Sequence, residues 1–392
     1  MDIERARYLV SPQGRESLTS LAHETDLDPN RLATRLRRQF PPAEAAALAE
    51  QLTLRARAAS RFEPGEGLTL YSAAGIEMMT HPIVARRRAE RFAALGLPVV
   101  DLTCGIGGDL SAVARNVPLA IGLERDPSTA LLAAANVPGA HVLGGDATAP
   151  PVRLEEFAAI IDPARRGAAG RRFDPEAFEP SWDACVSLLR SAGAGVLKAP
   201  PGLQHERVPS FAELEAVQLG RDLRELALWS GASAEPGLRR AVLLPAALEL
   251  TSNQPASQGL TPAVGRYVFD PESCVTRATL VQQLAFLLTA NFMDARVAYL
   301  TSDTAAFHPM AATFEVIDVV PFSLQRLKEY LRAHSLRPDE IRRRAFPVEP
   351  DELRRLLGKL PGERVTLLCT TLNAERITIV ARRVYAPAPE AA

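Results

Sequence analysis

The sequence predicts an α/β fold with helices on both faces of a mostly parallel sheet, between an N-terminal helical region and a small C-terminal α+β domain. Three observations carry this prediction. A buried strand at 99–102 runs directly into a glycine-rich turn and a helix. Short apolar strands then alternate with helical segments as far as residue 197. Three further apolar stretches follow in quick succession, without helices between them.

The first 62 residues are predicted to be helical throughout. Asp28 and Pro29 form a typical helix start, with the aspartate as the cap and the proline at the first helical position. A second, alanine-rich helix follows over residues 43–62, and its far end carries Arg55, Arg57 and Arg61. We interpret these arginines as a solvated helix face, with an RNA contact as the alternative.

The central region alternates between strands and helices as a doubly wound sheet requires. The predicted parallel strands are Val99–Leu102, Leu119–Leu123, His141–Leu143, Phe157–Ile161 and Gly195–Leu197. The predicted helices between the first of them are Asp109–Arg115 and Ser128–Asn136. The closing strands are Leu214–Leu219, Arg224–Leu228 and Ala241–Leu244.

Beyond residue 250 a stretch rich in Ser, Pro, Gln and Gly predicts a linker, followed by a helix at Arg277–Leu288. The tail then predicts the order βαβαββ, with Ser323 as the cap of its first helix. The expected domains are therefore a helical region at 1–62, a central α/β domain at 63–250, a linker and helix at 251–312, and an α+β domain at 313–392.

Composition excludes several classes of protein. The 392 residues are 47% hydrophobic with a net charge of −1, which is ordinary for a globular protein and does not indicate nucleic-acid binding. No apolar run approaches the ~18 residues that span a membrane, and the start of the chain lacks a signal-peptide layout. The four cysteines are widely spaced, which argues against zinc and disulfides. We expect a cytoplasmic protein without metal or membrane partners, and the sequence carries no signal for an oligomeric state.

The glycine turn Cys104-Gly105-Ile106-Gly107-Gly108 is the first candidate binding element. Glycines there let backbone pass close to a ligand, and the N–H groups that open the next helix can face it. A dinucleotide fingerprint needs a third glycine where this chain has Leu110, so a nicotinamide enzyme is disfavoured. A tight turn without any ligand is the plainer alternative.

Acidic residues follow four successive predicted strands: Asp101, Glu124, Asp146 and Asp162. Carboxyl ends of parallel strands are where open α/β sheets bind ligands. An acid at Glu124, about twenty residues after the turn, can accept both ribose hydroxyls of a nucleotide-like cofactor. Asp146 can accept from an adenine amine. Helix capping alone does not explain four such acids.

The element Asp101-Leu102-Thr103-Cys104-Gly105-Ile106-Gly107-Gly108 resembles the cofactor turn of class I S-adenosylmethionine (SAM) methyltransferases. The resemblance implies that SAM is the cofactor, with its methionine part held by Gly105, Gly107 and the backbone around Thr103. Thr103 stands where many of these enzymes have a first glycine. Asp101 corresponds to the acid that closes the first strand.

The reacting position is predicted at Asp162-Pro163-Ala164-Arg165, where Asp162 would orient the target atom. Amine-directed methyltransferases carry an aromatic ring in this element, which this chain lacks, and Trp182 or Phe173 are the candidates to supply one. Arg165 and Arg166 would bind substrate phosphate, or pair with a nearby carboxylate. Uridine C5 chemistry needs a nucleophilic cysteine, and Lys198-Ala199-Pro200-Pro201-Gly202 has none.

Over nearly its full length the chain resembles bacterial class I SAM-dependent methyltransferases with a C-terminal THUMP-like domain. The matching elements are Tyr71–Glu77, Asp101–Asp109, Asp162–Arg166, Lys198–Gly202, Tyr299–Asp303, Phe314–Val316 and Pro321–Ser323. The chain departs from the family at Arg343-Arg344-Ala345, where members often have glycine after the basic pair.

The resemblance implies a SAM-dependent methyltransferase with RNA as its favoured substrate, tRNA or rRNA, because THUMP-type domains elsewhere bind RNA. Two alternatives stay open. One is a non-catalytic RNA-binding protein that keeps SAM as a structural or sensing ligand, and the other is a methyltransferase for a small molecule or a protein.

Overall fold

The computed structural model describes residues 1–62, 68–165 and 177–386. The chain divides into two compact units, the first comprising Met1–Glu215 and Arg224–Leu238, and the second comprising Ala216–Leu223 and Arg239–Ala392. Within the described residues, none of the helices is both long enough and apolar enough to cross a membrane. The predicted α/β fold with a C-terminal α+β region is confirmed.

The N-terminal region is helical, as predicted. Helices α1 to α4 span Ile3–Val10, Pro12–Ser20, Pro29–Leu36 and Pro42–Ala59. The Asp28 side chain accepts a hydrogen bond from the Arg31 N–H at 2.9 Å, and Pro29 occupies the first turn of α3. The apolar faces of these helices form one core that also contains Ile106 of the glycine turn. The helices therefore pack directly on the element that the sequence singles out as a binding site.

The parallel strands of unit 1 carry the site. The helices are α5 (Ala73–Met78), α6 (Pro82–Ala93), α7 (Gly108–Val113), α8 (Pro127–Asn136) and α9 (Trp182–Ser191). The strands are β1 (Val99–Asp101), β2 (Ala120–Glu124), β3 (His141–Gly144), β4 (Ala158–Ile161), the short pair β5 (Ala164–Arg165) and β6 (Phe178–Glu179), and β7 (Ala194–Ala199). Neighbours in the order β7-β4-β1-β2-β3 are parallel.

The closing strands follow without helices between them, as predicted. They are β8 (Glu213–Leu219), β9 (Asp222–Gly231), β10 (Arg239–Leu244) and β11 (Leu248–Thr251). In unit 1, β9 runs antiparallel to β7, and β8 lies next to β9. In unit 2, β10 and β11 form an antiparallel pair. The antiparallel closing strands separate this sheet from an all-parallel dinucleotide-binding one.

Unit 2 contains a second sheet, in the order β13-β14-β12-β15-β18-β17-β16. Its elements are β12 (Tyr267–Pro271), α10 (Ser273–Arg277), α11 (Val281–Leu288), β13 (Asn291–Asp294), β14 (Val297–Ser302), β15 (Ala311–Pro321), α12 (Leu324–Ala333), β16 (Leu336–Arg343), α13 (Pro350–Leu357), β17 (Glu363–Leu372) and β18 (Glu375–Val384). The tail has the predicted βαβαββ order, and Ser323 caps α12 by accepting from the Arg326 N–H at 3.1 Å.

The helix predicted at Arg277–Leu288 is present as α11, but the stretch around it, predicted as a linker, is largely structured. It contains three strands, β12, β13 and β14, and β12 pairs with β15 of the tail over five residues. The linker prediction at 251–312 was therefore wrong for this part of the chain. Its Ser, Pro, Gln and Gly content is concentrated before Tyr267, and the strands after it are short. Their stability comes from pairing with distant strands, which local composition does not reveal.

The departure from the family at Ala345 has a conformational consequence. Ala345 is exposed and has a φ of +50°, in the left-handed region where glycine is favoured. The two arginines before it are held in place: Arg344 Nε donates to Asp270 at 2.6 Å, and Arg343 pairs with Glu349. The turn therefore keeps its shape although it lacks the glycine.

We predict that Ala345→Gly stabilises unit 2 by about 0.5 kcal/mol, because relief of the left-handed strain slightly exceeds the entropy that glycine adds to the unfolded chain. Calorimetric melting measures the effect. The matched control is Ala295→Gly, at an exposed turn residue that is not among those with positive φ, and it should destabilise by a similar amount. Equal destabilisation by both substitutions would contradict the strain argument.

Candidate functional site

A cavity of about 1030 Å³ opens at the carboxyl ends of β1, β2, β3, β4 and β7. Its lining includes all four strand-end acids named from the sequence, together with the glycine turn and Lys198. Pockets for small molecules are usually about 300–1,000 Å³. The volume therefore leaves room for an acceptor group beside a cofactor.

The glycine turn has the backbone geometry that only glycine adopts easily. Gly105 has a φ of +54° and Gly107 a φ of +96°. A Cβ on Gly107 would lie 2.8 Å from Val137 Cγ2, whereas a Cβ on Gly105 would meet no atom within 4 Å. Gly107 is thus required for packing beneath the turn. Gly105 leaves open space beside the cavity that it lines.

Glu124 lies directly beside the turn. Its Oε2 accepts a hydrogen bond from the Gly105 N–H at 3.1 Å, and its Oε1 accepts one from the Asp126 N–H at 2.8 Å. Both carboxylate oxygens are therefore oriented by backbone. Each oxygen has a second lone pair, so the group can still accept from a diol.

Asp146 is oriented by its own loop. Its Oδ1 accepts from the backbone N–H of Thr148 at 2.8 Å and from the Thr148 hydroxyl at 2.7 Å. These hydrogen bonds lower the pKa of Asp146, first through the backbone donor and then through the hydroxyl. Both donors bind Oδ1, which fixes the orientation of a carboxylate that lines the cavity.

Asp101 is buried at the end of β1 and accepts from the Thr103 N–H at 3.2 Å. Burial raises its pKa to about 8, and the negative charge of Asp109 adds to the rise. A carboxyl of this kind holds a proton near neutral pH and can donate as well as accept. The structure thus separates Asp101 from the other strand-end acids.

Thr103 and Asp162 form one unit across two strands. The Asp162 N–H donates to the Thr103 hydroxyl at 2.7 Å, so the threonine side chain ties the glycine turn to the end of β4. The carboxylate of Asp162 is about one-third exposed and pairs with the Lys198 ammonium through Oδ2. A hydroxyl is needed for this contact, which explains threonine in place of a first glycine.

Lys198 connects the cavity to a buried network of charged side chains that the sequence did not reveal. Its ammonium donates to the Thr80 hydroxyl at 2.7 Å, and that hydroxyl donates to Asp109 at 2.5 Å. Asp109 pairs with Arg88, and Arg88 Nη2 lies 2.5 Å from Glu225 Oε1. Thr80 precedes α6, whose N-cap is His81.

Opposite charges in the network counteract burial at Lys198 and Asp109, whereas burial raises the pKa of Glu225. Burial would lower the pKa of Lys198, but the charges of Asp162 and Asp109 outweigh it and raise that pKa. Burial would likewise raise the pKa of Asp109, but Arg88 and then Lys198 outweigh it and lower that pKa. The only sequence signal for these partners was the motif that begins with Lys198.

The cavity lined by Asp162 and Pro163 is also lined by an aromatic ring, that of Phe178. The strand pair β5–β6 places Phe178 opposite Arg165 in register, and Phe178 lines the cavity. Trp182 is buried and packs against Phe178, with ring centroids 5.8 Å apart. The Arg165 side chain, Arg166 and Phe173 lie outside the described residues, so their predicted roles stay predictions.

The residues present fit SAM as the cofactor. The glycine turn leaves Gly105 free of close neighbours. Three oriented acids at the ends of the adjacent strands β1, β2 and β3 can accept hydrogen bonds from an amine, a ribose diol and a second amine; they are Asp101, Glu124 and Asp146. Among the described residues, no group of three or more His, Cys, Asp or Glu could hold a metal ion. The chemistry of this donor set is that of a nucleoside-binding site.

Two family descriptions match this chain. Residues 311–383 match the family described as THUMP domain-like, and residues 2–58 match a domain of unknown function, DUF8688. Both are regions of the chain outside the parallel sheet.

Curated relatives and a solved structure are also similar. An uncharacterized S-adenosylmethionine-dependent methyltransferase of Mycobacterium tuberculosis, from strains CDC 1551 and H37Rv, is 31% identical over 76% of this chain and 88% of its own length. A crystal structure from Porphyromonas gingivalis W83, assigned as a methyltransferase, has a TM-score of 0.76 at 21% identity, and covers 98% of this chain and 100% of that one. The similarity to the Porphyromonas gingivalis structure shows that this chain and that one share a fold.

The raised pKa of Asp101 predicts a specific pH dependence of stability. Between its unfolded pKa of about 4 and its folded pKa of about 8, only the folded state holds the proton, so stability falls as pH rises through this window. As pH rises from 5.5 to 8, we expect the free energy of unfolding to fall by about 2 kcal/mol less in Asp101→Asn than in the wild type. Urea titrations at both pH values measure this. Asp183→Asn, at an exposed residue of α9, is the control, and an equal fall in the wild type and Asp101→Asn would contradict the argument.

Proposed function

This chain belongs to the S-adenosylmethionine-dependent methyltransferases with a THUMP-like C-terminal domain, and we propose that it methylates a base of tRNA or rRNA. The enzyme class and the cofactor follow from the relatives and from the fold. The single observation that carries the RNA proposal is the match of residues 311–383 to the THUMP domain-like family. We place the activity in the cytoplasm, where these RNAs are found.

We assign the cofactor contacts by the orientation of the strand-end groups. Glu124 would accept the ribose hydroxyls, and Asp146 would accept the adenine amine through the oxygen that Thr148 does not bind. The backbone of Gly105, Gly107 and Thr103, with Asp101, would hold the methionine part. When bound, SAM supplies an electrophilic methyl group on a sulfonium.

Asp162 is the residue that would orient the acceptor atom. The Lys198 ammonium pairs with its Oδ2 and holds the carboxylate in place. A carboxylate in this state can hold the N–H of a neutral amine and direct the nitrogen lone pair into the cavity. Lys198 would therefore act as a positioning residue for Asp162, and Phe178 is the described ring that could contact the base.

Arg165 and Arg166 are our candidates for substrate phosphate. They follow Asp162 directly in the chain, at the edge of the cavity lined by Ala164. Arginine binds phosphate with high geometric specificity, so this placement would suit a polynucleotide entering beside the reacting residue.

We predict that Glu124→Gln weakens SAM binding at least about tenfold, because a charge-assisted hydrogen bond to the ribose is lost and the new NH2 group faces one of the two backbone N–H donors that the carboxylate accepts from. Isothermal titration calorimetry gives the Kd. Glu156→Gln, an exposed acid outside the cavity lining, should leave the Kd unchanged. An unchanged Kd for Glu124→Gln would remove the ribose assignment.

RNA methylation is tested directly with tritiated SAM. We predict that the purified enzyme labels RNA isolated from a strain that lacks its gene, and labels RNA from the parent strain far less, because those sites are already methylated. Asp162→Ala should reduce the labelling rate by about a hundredfold through loss of acceptor orientation, with little change in the Kd for SAM.

Three outcomes separate the alternatives. In a whole extract of the deletion strain, label that resists ribonuclease but not protease would indicate a protein acceptor, and label in neither RNA nor protein would indicate a small molecule or a non-catalytic SAM-binding protein. Mass spectrometry of nucleosides from the two strains then identifies the methylated base. Asp183→Asn serves as the activity control.

A further inference from the structure

One wall of the cofactor cavity is a segment that precedes the first strand of the sheet. We call residues 69–79 the wall segment. Six of its residues line the cavity: Ser72, Ala74, Gly75, Glu77, Met78 and Met79. Its helix, α5, is only six residues long. A helix of that length is not stable on its own, so the wall depends on the contacts that hold it.

Helix α4 of the N-terminal region holds the wall segment along its length. Arg55 Nε donates to the Thr69 carbonyl at 2.8 Å, and Arg61 Nη1 donates to the Ile76 carbonyl at 3.1 Å. Arg57 forms an ion pair with Glu77 at 2.8 Å. Arg57 and Arg61 are exposed, in agreement with the solvated face predicted from the sequence, but all three arginines also contact the wall segment.

A buried glutamine supplies the central anchor. Gln51 on α4 is completely buried, and its side-chain Oε1 accepts from the Tyr71 N–H at 3.0 Å. Its amide nitrogen donates to the carbonyl of the same residue. The pair of hydrogen bonds imitates one step of a β-ladder and fixes the backbone of Tyr71 immediately before the cavity-lining Ser72.

The opposite side of the wall segment is joined to the glycine turn. Asn136 on α8 accepts from the Leu70 N–H at 2.9 Å, and its amide donates to the carbonyls of Leu70 and of Ile106 at 2.8 and 2.9 Å. Gly75 packs so closely on Ile106 that a Cβ there would lie 2.8 Å from its side chain. The wall segment is thus clamped between α4 and the turn.

We propose that the N-terminal helical region, whose family has no assigned function, is a positioning domain for the cofactor cavity, with Gln51, Arg55 and Arg61 as the residues that hold its wall in place. The inference rests on SAM as the cofactor and not on RNA as the substrate. A shared hydrophobic core supports the proposal, because Leu48 and Leu52 of α4 pack in one core with Tyr71, Ile76 and Ile106.

The proposal has a thermodynamic consequence. If the wall segment must be in place for SAM to bind, the apparent Kd equals the intrinsic Kd divided by the fraction of molecules with the wall formed. Loss of two anchors that reduces this fraction to about one tenth raises the Kd about tenfold. The contacts with the ribose and adenine are not altered by such a change.

The test is the full-length double variant Arg55→Gln/Arg61→Gln, measured for SAM binding by calorimetry and for amide hydrogen exchange without ligand. We expect a Kd about tenfold weaker and faster exchange confined to residues 69–79 and the adjoining turn. The double variant Arg55→Lys/Arg61→Lys keeps at each position a long cationic donor, which the shorter and neutral glutamine amide does not replace, and should recover most of the affinity. Gln51→Leu should act in the same direction if it folds.

The matched control is Arg31→Gln/Arg38→Gln, which removes the same charge from exposed residues near α3 of the same region. It should change neither the Kd nor the exchange of the wall segment. An equal loss of affinity in this control would show a general charge effect and overturn the proposal. Faster exchange of residues 69–79 with an unchanged Kd would overturn it as well, whether or not RNA is the substrate.

Discussion

The cavity depends on one buried ion pair, between Arg88 of α6 and Asp109 of α7. Arg88 is 2% exposed, and it also binds Glu225 on β9, so it joins the helix after the glycine turn to a closing strand. Removal of one partner of such a pair leaves an uncompensated buried charge and costs about 3–5 kcal/mol. Through Asp109, Thr80 and Lys198 the same network reaches Asp162 in the cavity. The position of the Asp162 carboxylate is therefore set from the interior.

The glycine turn is held from three directions, and each contact serves the cavity. Glu124 binds the Gly105 N–H, Thr103 accepts from the Asp162 N–H, and Asn136 donates to the Ile106 carbonyl. These contacts connect the turn to β2, β4 and α8 respectively. A backbone fixed in this way is preorganised, so little ordering remains to oppose cofactor binding.

Where sequence and structure disagree, the cause is a contact between residues far apart in the chain. The arginines of α4 have the spacing of a solvated face, but their partners lie 14 to 20 residues later in the wall segment. The stretch at 251–312 has the composition of a linker near its start, yet β12 pairs with β15. Phe178 of β6 lines the cavity together with Ala164, because β5 and β6 pair.

The sequence by itself determined the order of strands and helices around the site, the glycine turn, and the acids that follow four strands, because these depend on local periodicity, turn chemistry and the common edge of a parallel sheet. Only the tertiary structure decided the state of those acids. Asp101 is buried beside Asp109, whereas Asp162 is paired with Lys198 and Asp146 is bound by its own loop. Burial and long-range charge pairing set these differences, and neither is encoded in the spacing of neighbouring residues.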